Sequence, residues 1–163
     1  MSFEDSYLGR LRRFVGSDTL MSGGVRLLVE DNEGRFLTIR RADDGKWGLP
    51  AGAMELSESL MDAAARELFE ETNLRLHDPV AFGLCSDPAT ETHEYPNGDR
   101  VQYISLLVHS GVDDTAPLAN DGEARALRFH SLAEISALDF TEAERPAFDH
   151  WKRFCATGIF QIA

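Results

Sequence analysis

The most informative stretch of this chain is residues 49–74, LPAGAMELSESLMDAAARELFEETNL. It joins a short loop to a predicted helix with an unusually acidic side. At about 100° per residue, Glu67 lies at the centre of that side, with Glu70 about 60° to one side of it and Glu71 about 40° to the other. A separate arc of the helix carries residues that can pack against a core, namely Met61, Ala65, Leu68 and Thr72. The stretch therefore predicts a helix that presents three carboxylates together.

These carboxylates destabilise their own helix unless a positive charge compensates them. Glu67 and Glu71 are one turn apart and repel each other by roughly a few tenths of a kcal/mol. The acids also lie in the C-terminal half of the helix, where the helix dipole disfavours negative charge. Arg66 can pair with Glu70, but one guanidinium cannot neutralise three acids, whereas Mg²⁺ and Mn²⁺ select oxygen ligands. We interpret the acidic side as a metal site, and a solvated acidic surface is the alternative interpretation.

The spacing of the charged residues along the stretch is specific. Five residues separate Gly52 from Glu58, and seven more lead to the run Arg66-Glu67-Leu68. One further residue leads to Glu70-Glu71, and Leu74 closes the pattern. This ordered pattern resembles the signature of the Nudix hydrolases, the Nudix box, which here spans residues 52–74.

Two positions depart from that family pattern. Asn73 stands where the family usually has glycine, and Ala51 replaces a glycine that is common before Gly52. A glycine after a helix suggests a left-handed stop, and asparagine tolerates that conformation better than other side chains do. We therefore expect Asn73 to end the helix and to leave the chemistry unaffected.

The resemblance implies the Nudix αβα sandwich, an α/β (α+β) fold in which a mixed β-sheet lies between helices. It implies Mg²⁺ as cofactor, with Mn²⁺ as the alternative. It also implies that Arg66 orients the acids and that Glu58 mainly holds the loop, with proximity to the metal as its lesser role. The implied metal site consists of Glu67, Glu70, Glu71 and the backbone at Gly52, with Glu67 serving as a ligand or as the general base.

A metal cluster of this kind favours displacement at phosphorus. The resemblance implies hydrolysis of the pyrophosphate bond in a nucleoside diphosphate linked to another group, X. Pro88 lies near the position that suggests ADP-ribose or a nucleotide sugar, which we take as the first expectation. Nucleoside triphosphates, dinucleoside polyphosphates and CDP-alcohols such as CDP-choline remain open. A non-catalytic nucleotide-binding sensor is the alternative from another class, although all three box acids are present.

Composition restricts the partners and the location. The length of 163 residues predicts a single domain. The formal net charge of −12 disfavours nucleic acid, including capped RNA, and anionic membranes as partners. A small-molecule nucleotide remains a suitable partner, because a bound cation reverses the local potential. Cys85 and Cys155 form no metal or disulfide pattern, and no apolar run or signal peptide is found, so we expect a cytoplasmic protein. Homodimerisation is left open.

The remaining segments predict a mixed sheet with flanking helices. We expect an N-terminal helical segment within residues 1–20 that ends at Gly16, and a C-terminal helix over residues 141–157 that starts with a capping box from Thr141 to Glu144. Residues 87–99 are expected to form a long polar connection. The predicted strands are 25–30, 36–41, 79–85, 101–109 and 124–129, and the strand 101–109 is expected to be central. A short helix is expected over residues 132–138, with Ser131 as its cap. The box helix is expected to begin at Ser57 and Glu58.

Four residues outside the box are candidates for substrate contact. Arg41 ends a predicted strand and faces either the site or solvent. Trp47 either stacks on a nucleobase or packs under the box loop. His93 and Tyr95 lie in the polar connection and either contact substrate or belong to an ordinary hairpin tip.

Glu123 lies between an acidic loop and the predicted strand 124–129. In the resembled family, a glutamate at this stage of the chain often joins the metal cluster or acts as the base. Glu123 is the candidate for that role, and an exposed loop acid is the equally weighted alternative.

Overall fold

The computed structural model describes residues 3–95, 97–112 and 124–163, apart from the side chain of Phe3. The strands are β1 (Leu20–Glu30), β2 (Phe36–Arg41), β3 (Trp47–Gly48), β4 (Ala51–Ala53), β5 (His77–Cys85), β6 (Thr92–Glu94), β7 (Arg100–Gly111), β8 (Ala124–His130) and β9 (Gln161–Ile162). The helices are α1 (Tyr7–Val15), α2 (Leu60–Thr72), α3 (Pro88–Glu91), α4 (Leu132–Ala137) and α5 (Pro146–Thr157), with 3₁₀ turns at Phe3–Asp5 and Glu142–Glu144.

The described strands form one mixed sheet whose main order is β3-β2-β1-β7-β5-β9. Strands β1 and β7 run parallel, paired from Leu20 and Val101 to Glu30 and Gly111. The pairs β1 with β2, β1 with β4, and β5 with β7 are antiparallel. The expected central position of the 101–109 strand is confirmed.

Strand β1 begins five residues earlier than its sequence predicts. Gly23 and Gly24 interrupt the β-branched pattern, but the parallel ladder carries both of them, opposite Ile104 and Ser105. The missing side chain of Gly24 also serves close packing, because a Cβ there would lie 3.1 Å from the Tyr103 ring and 3.2 Å from the Gly52 carbonyl oxygen. Tertiary pairing thus overrides the low strand propensity of glycine.

Helix α2 begins at Leu60, and the expected start at Ser57 and Glu58 is wrong. Ser57 has a positive φ of 69° and cannot cap a helix from that conformation. Ser59 is the N-cap, and its hydroxyl accepts a hydrogen bond from the Asp62 amide at 3.1 Å in a complete capping box. At the other end Asn73 adopts the expected left-handed conformation, with φ of 62°.

Two apolar layers place the sheet between helices. One layer packs α2 on the sheet and contains Val25, Leu27, Val29, Leu37, Ala63, Ala64, Leu68, Leu74, Val108 and Val112. The other packs α4 and α5 on the sheet and contains Leu28, Phe36, Leu49, Phe82, Cys85, Leu107, Ile135, Phe140 and Ala147. This is the expected αβα sandwich. The packing arc of α2 is shifted, however, because Ala63 and Ala64 are buried while Ala65 is exposed.

Two other expectations change in the structure. Residues 87–99 contain α3 and β6 and are not an irregular connection. The capping box expected at Thr141 does not form, because the Glu144 side chain is buried and accepts a hydrogen bond from the Leu49 amide at 2.6 Å. The C-terminal helix therefore starts at Pro146, whereas the N-terminal helix ends at Gly16 as expected. Within the described ranges, no helix is both long and apolar enough to cross a membrane.

The left-handed stop at Asn73 yields a test by substitution. Asn73→Ala should lower the free energy of unfolding by about 1 kcal/mol, because alanine lacks the polar side chain that makes a positive φ tolerable. Asn73→Gly should change it by less than about 1 kcal/mol, because glycine adopts this conformation freely. Urea unfolding measures both, and equal stability of the two variants would contradict this account.

Candidate active site

A cavity of about 700 Å³ opens beside the box helix and is lined from several elements. The box loop, α2, the strands β1, β2 and β7, and the α3–β6 segment all contribute to its wall. Eight of the residues singled out in the sequence line it: Gly52, Arg66, Glu67, Glu70, Glu71, Arg41, His93 and Tyr95. The fold thus brings the box acids and three of the four predicted substrate contacts to one cavity.

Gly52 and Glu67 approach each other more closely than any side chain at position 52 would allow. A Cβ built on Gly52 would overlap the carboxylate of Glu67. The Glu67 side chain is only 16% exposed, and its burial raises the carboxyl pKa, an effect that the neighbouring Arg66 opposes. The glycine of the box is therefore required as space for the Glu67 carboxylate.

Arg66 connects the acids of the helix to the loop. Its Nη1 lies 2.8 Å from Glu67 Oε1 and 3.3 Å from Glu70 Oε2. Its Nη2 donates to the Ala53 carbonyl at 2.9 Å, and Nε and Nη2 donate to the two Glu58 oxygens at 3.0 and 2.7 Å. The bonds to Glu58 are the main reason why the pKa of Arg66 is raised. One guanidinium therefore orients two box acids and anchors the loop.

Glu58 does not line the cavity. Besides Arg66, its carboxylate accepts the amide of Glu55 at 2.6 Å, which closes the loop before α2. The hydrogen bonds from Arg66 lower the Glu58 pKa, against the opposing effect of burial. These contacts are those of a residue that holds the loop.

The acid cluster matches a divalent cation in its donor chemistry. Glu67, Glu70 and Glu71 offer carboxylate oxygens to one cavity, which is the donor type that Mg²⁺ and Mn²⁺ select. In the described part of the chain, no three His, Cys, Asp or Glu side chains are arranged as a ready metal site. Arg66 takes the neutralising role in this conformation, since it bridges Glu67 and Glu70.

The predicted substrate contacts of the cavity touch one another. Arg41 Nη2 lies 3.4 Å from His93 Nε2 and 3.1 Å from Asp43 Oδ2. The His93 ring meets the edge of Tyr95 at 4.5 Å, and burial, assisted by Arg41, lowers the His93 pKa. The Tyr95 hydroxyl lies 2.8 Å from that of Tyr103. These side chains form a polar, aromatic wall that faces the cavity.

Two predicted site residues are not in this group. Trp47 is absent from the cavity lining; its ring meets His130 edge to face at 4.9 Å and packs against the α5 layer, so its position matches the packing alternative. Trp47 was a candidate for base stacking because it directly precedes the box loop in the sequence. In the fold its ring lies against His130 of β8. Glu123 lies outside the described residues.

The cavity also contains residues that the sequence reading missed. Arg26 and Ser105 come from β1 and β7, and Glu91 and Tyr103 complete this group. An arginine inside the apolar run VRLLV was an available signal for a buried polar site. Nothing in the polar segment 87–99 distinguished Glu91, because its burial depends on α3.

The N-terminal helix is a further wall. Ser6 and Leu8 line the cavity, and the Tyr7 amide donates to both oxygens of Glu55 at 2.8 and 3.0 Å. Helix α1 is thus tied to the box loop at its first residue.

The chain matches the model of the NUDIX domain over residues 22–151, and it belongs to the NUDIX family. Among curated proteins, it is 31% identical over 108 residues to phosphatase NudJ of Escherichia coli K12, which covers 63% of this chain and 64% of NudJ. It is 47% identical over 68 residues to a MutT-like protein of Streptomyces ambofaciens, which covers 42% of this chain and 44% of that protein. The chain therefore spans less than two thirds of the length of either relative.

Solved structures share the fold. A NUDIX hydrolase from Nitrosomonas europaea superposes with a TM-score of 0.66 at 24% identity, covering 87% of this chain and 78% of that one. The MutT protein from Methanosarcina mazei Go1 gives a TM-score of 0.64 at 25% identity, covering 86% and 97%. A bifunctional NMN adenylyltransferase/ADP ribose pyrophosphatase from Francisella tularensis, complexed with AMP and a manganese ion, gives 0.65 at 20% identity, covering 94% and 51%.

The clearance at Gly52 can be tested directly. Gly52→Ala should lower the free energy of unfolding by about 1 kcal/mol, because the new methyl group must displace the end of the flexible Glu67 side chain and weaken its 2.8 Å contact with Arg66. Gly23→Ala is the matched control, since a Cβ there meets its nearest neighbours at 3.7 Å, an ordinary contact. Urea unfolding compares the two, and the explanation fails if Gly52→Ala is as stable as Gly23→Ala.

The Arg66–Glu58 pair predicts a pH dependence of stability. Glu58→Gln should lower the free energy of unfolding at pH 7 by about 1–3 kcal/mol. Because the folded pKa of Glu58 is lowered, its contribution is complete above the unfolded pKa of about 4.3 and is lost as the pH falls through the folded value. The difference from the wild type should therefore shrink between about pH 5 and pH 3.

Urea unfolding at several pH values measures that difference. Glu94→Gln is the control, because Glu94 is 58% exposed and its 2.8 Å pair with Arg100 lies in solvent. A stability difference for Glu58→Gln that stays constant with pH would show that the carboxylate charge is not involved.

Proposed function

We propose that this protein is a Mg²⁺-dependent hydrolase that cleaves the pyrophosphate bond of a nucleoside diphosphate linked to another group, X. One observation carries the proposal: Gly52, Arg66 and the three box acids line one cavity of about 700 Å³ together with Arg41 and His93. A cavity of this size accommodates a small nucleotide. Membership of the NUDIX family supports the same reaction class.

In this proposal the acids hold the cation and Arg66 holds the acids. Glu67, Glu70 and Glu71 are the ligands, and the space at Gly52 lets the Glu67 carboxylate stand against the loop backbone. The bound cation supplies charge neutralisation of the diphosphate and a lowered pKa of water. Arg66 keeps Glu67 and Glu70 oriented through its 2.8 and 3.3 Å contacts, and its anchor on Glu58 keeps that orientation fixed.

The remaining proton and charge roles fall to groups near the acids. Glu67 is the candidate base when it is not a ligand, because burial favours its protonated form and so strengthens it as a proton acceptor. Arg41 and His93 also line the cavity and would offer N–H groups to phosphate oxygens. Glu123 stays a proposed additional ligand or base.

For the substrate we propose ADP-ribose or a nucleotide sugar first. Pro88 supports this expectation from the sequence, and an ADP ribose pyrophosphatase is among the proteins that share the fold. Nucleoside triphosphates, dinucleoside polyphosphates and CDP-alcohols are the competing substrates. A net charge of −12 supports a small molecule as partner over a nucleic acid or a membrane. We propose the cytoplasm as the location.

A substrate panel tests the proposal. The protein is incubated with Mg²⁺ and ADP-ribose, nucleotide sugars, CDP-alcohols, dinucleoside polyphosphates or nucleoside triphosphates, and products are separated by chromatography. We expect a nucleoside monophosphate among the products, no turnover in EDTA, and a loss of about 100-fold or more in Glu71→Gln and Glu67→Gln.

Glu142→Gln is the matched control, because Glu142 is 81% exposed and lies outside the cavity. It should keep wild-type activity. Tight binding of one compound without turnover of any would replace the hydrolase by the sensor, with the box acids as a binding cluster.

A further inference from the structure

We infer that Arg26, held by Glu91, selects the nucleobase of the substrate in the part of the cavity lined by β1, α3 and β7. Arg26 would thus be a specificity residue, and its role rests on the proposed function, in which the box acids hold the diphosphate. Arg26, Glu91 and Ser105 lie outside the Nudix box, on β1, α3 and β7.

Arg26 and Glu91 are held in one geometry. Nη1 of Arg26 lies 3.1 Å from Oε1 of Glu91, and Nη2 lies 3.3 Å from Oε2. The Ser105 hydroxyl donates to the same Oε2 at 2.6 Å. The side chains of Arg26 and Glu91 are 11% and 2% exposed, so the pair is almost completely desolvated while it still forms part of the cavity wall.

The guanidinium has donors that Glu91 does not use. A guanidinium carries five N–H groups, and the two contacts to Glu91 engage one on each terminal nitrogen. The Nε atom of Arg26 is buried and has no hydrogen-bond partner among the described residues. The Nε atom is too buried for an entering acceptor to reach, so the second N–H group on Nη1 or Nη2 is the donor available to the cavity. The bidentate pair with Glu91 already sets the geometry of that donor.

The charge around Arg26 disfavours a phosphate at this position. Glu91 neutralises the guanidinium, and the buried Glu144 carboxyl also lines the cavity and interacts electrostatically with Arg26. Arg41 also interacts electrostatically with Glu144, but Asp43 pairs with Arg41 at 3.1 Å. A phosphate beside Arg26 would therefore meet three carboxyl groups and two guanidinium groups. The group that binds should thus be uncharged and carry hydrogen-bond acceptors at its edge.

Apolar walls beside this polar cluster favour a flat ring. Ile39 and Leu49 line the cavity and are 6% and 5% exposed. A nucleobase has apolar faces and a polar edge, so it can stack on such walls while its edge reaches Arg26. A sugar presents hydroxyl groups on several sides and would leave some of them against Ile39 and Leu49. The nucleobase, and not the group X, is therefore the part of the substrate assigned to Arg26.

Binding of nucleoside monophosphates in EDTA tests the assignment without hydrolysis. Isothermal titration calorimetry with AMP, GMP, CMP and UMP should show that the wild type prefers one base by about tenfold or more. In Arg26→Met this preference should fall to about threefold or less, because the directional donor is gone. Arg40→Met is the matched control, since Arg40 is an exposed arginine on β2 that does not line the cavity, and it should keep the preference.

A second variant guards against a folding defect. Arg26→Met leaves the Glu91 charge buried without its partner, whereas Arg26→Met/Glu91→Gln removes both charges. Thermal unfolding identifies which variants are folded, and the double variant should lose the base preference while it keeps a cooperative transition.

The outcomes separate this inference from the proposed function. If the wild type prefers one base and hydrolyses nothing, the inference stands and the hydrolase fails. If the double variant keeps the preference, the Arg26–Glu91 pair only ties α3 to the sheet and the inference is overturned. Equal binding of all four nucleoside monophosphates by the wild type overturns it as well. It is also overturned if binding of nucleoside diphosphate derivatives depends on the group X and not on the base.

Discussion

The contact of Arg66 with acids on both the helix and the loop is the interaction on which the site depends. Without it, Glu67 and Glu70 would stand close together on one helix, and Glu58 would keep its bond to the Glu55 amide but lose its link to α2. The guanidinium fork suits this task, because it donates in several fixed directions at once. A lysine could compensate charge but could not impose the same geometry.

The clearance at Gly52 complements this ion-pair network. The loop must pass where the Glu67 carboxylate lies, and only a residue without a side chain permits that approach. The acid is thereby held between a guanidinium and a backbone in a largely buried position. Such an arrangement concentrates negative charge at one place, which is what a divalent cation requires, and the stability cost of the acid cluster is offset by the two apolar layers of the sandwich.

The cavity joins two chemically different regions. Around α2 the wall carries the carboxylates of Glu67, Glu70 and Glu71, which in the proposed function hold a cation and, through it, the phosphates. Another part of the wall contains the buried Arg26–Glu91 ion pair and the apolar residues Ile39 and Leu49, and the proposed occupant there is an uncharged ring. Helix α1, which precedes the region matched by the NUDIX model, adds Ser6 and Leu8 to the wall and is tied to the box loop through Glu55.

Local sequence was sufficient to predict the box helix apart from its first turn, its left-handed stop at Asn73, the central strand and the shared side of the acids. These features follow from local spacing and from conformational preferences of single residues. Three features depend on long-range contacts: β1 continues through Gly24, the buried Glu144 accepts the Leu49 amide, and Arg26 pairs with Glu91. Their stabilising energies come from ladder pairing and from hydrogen bonds and an ion pair that offset the cost of burying polar groups, and no local pattern encodes them.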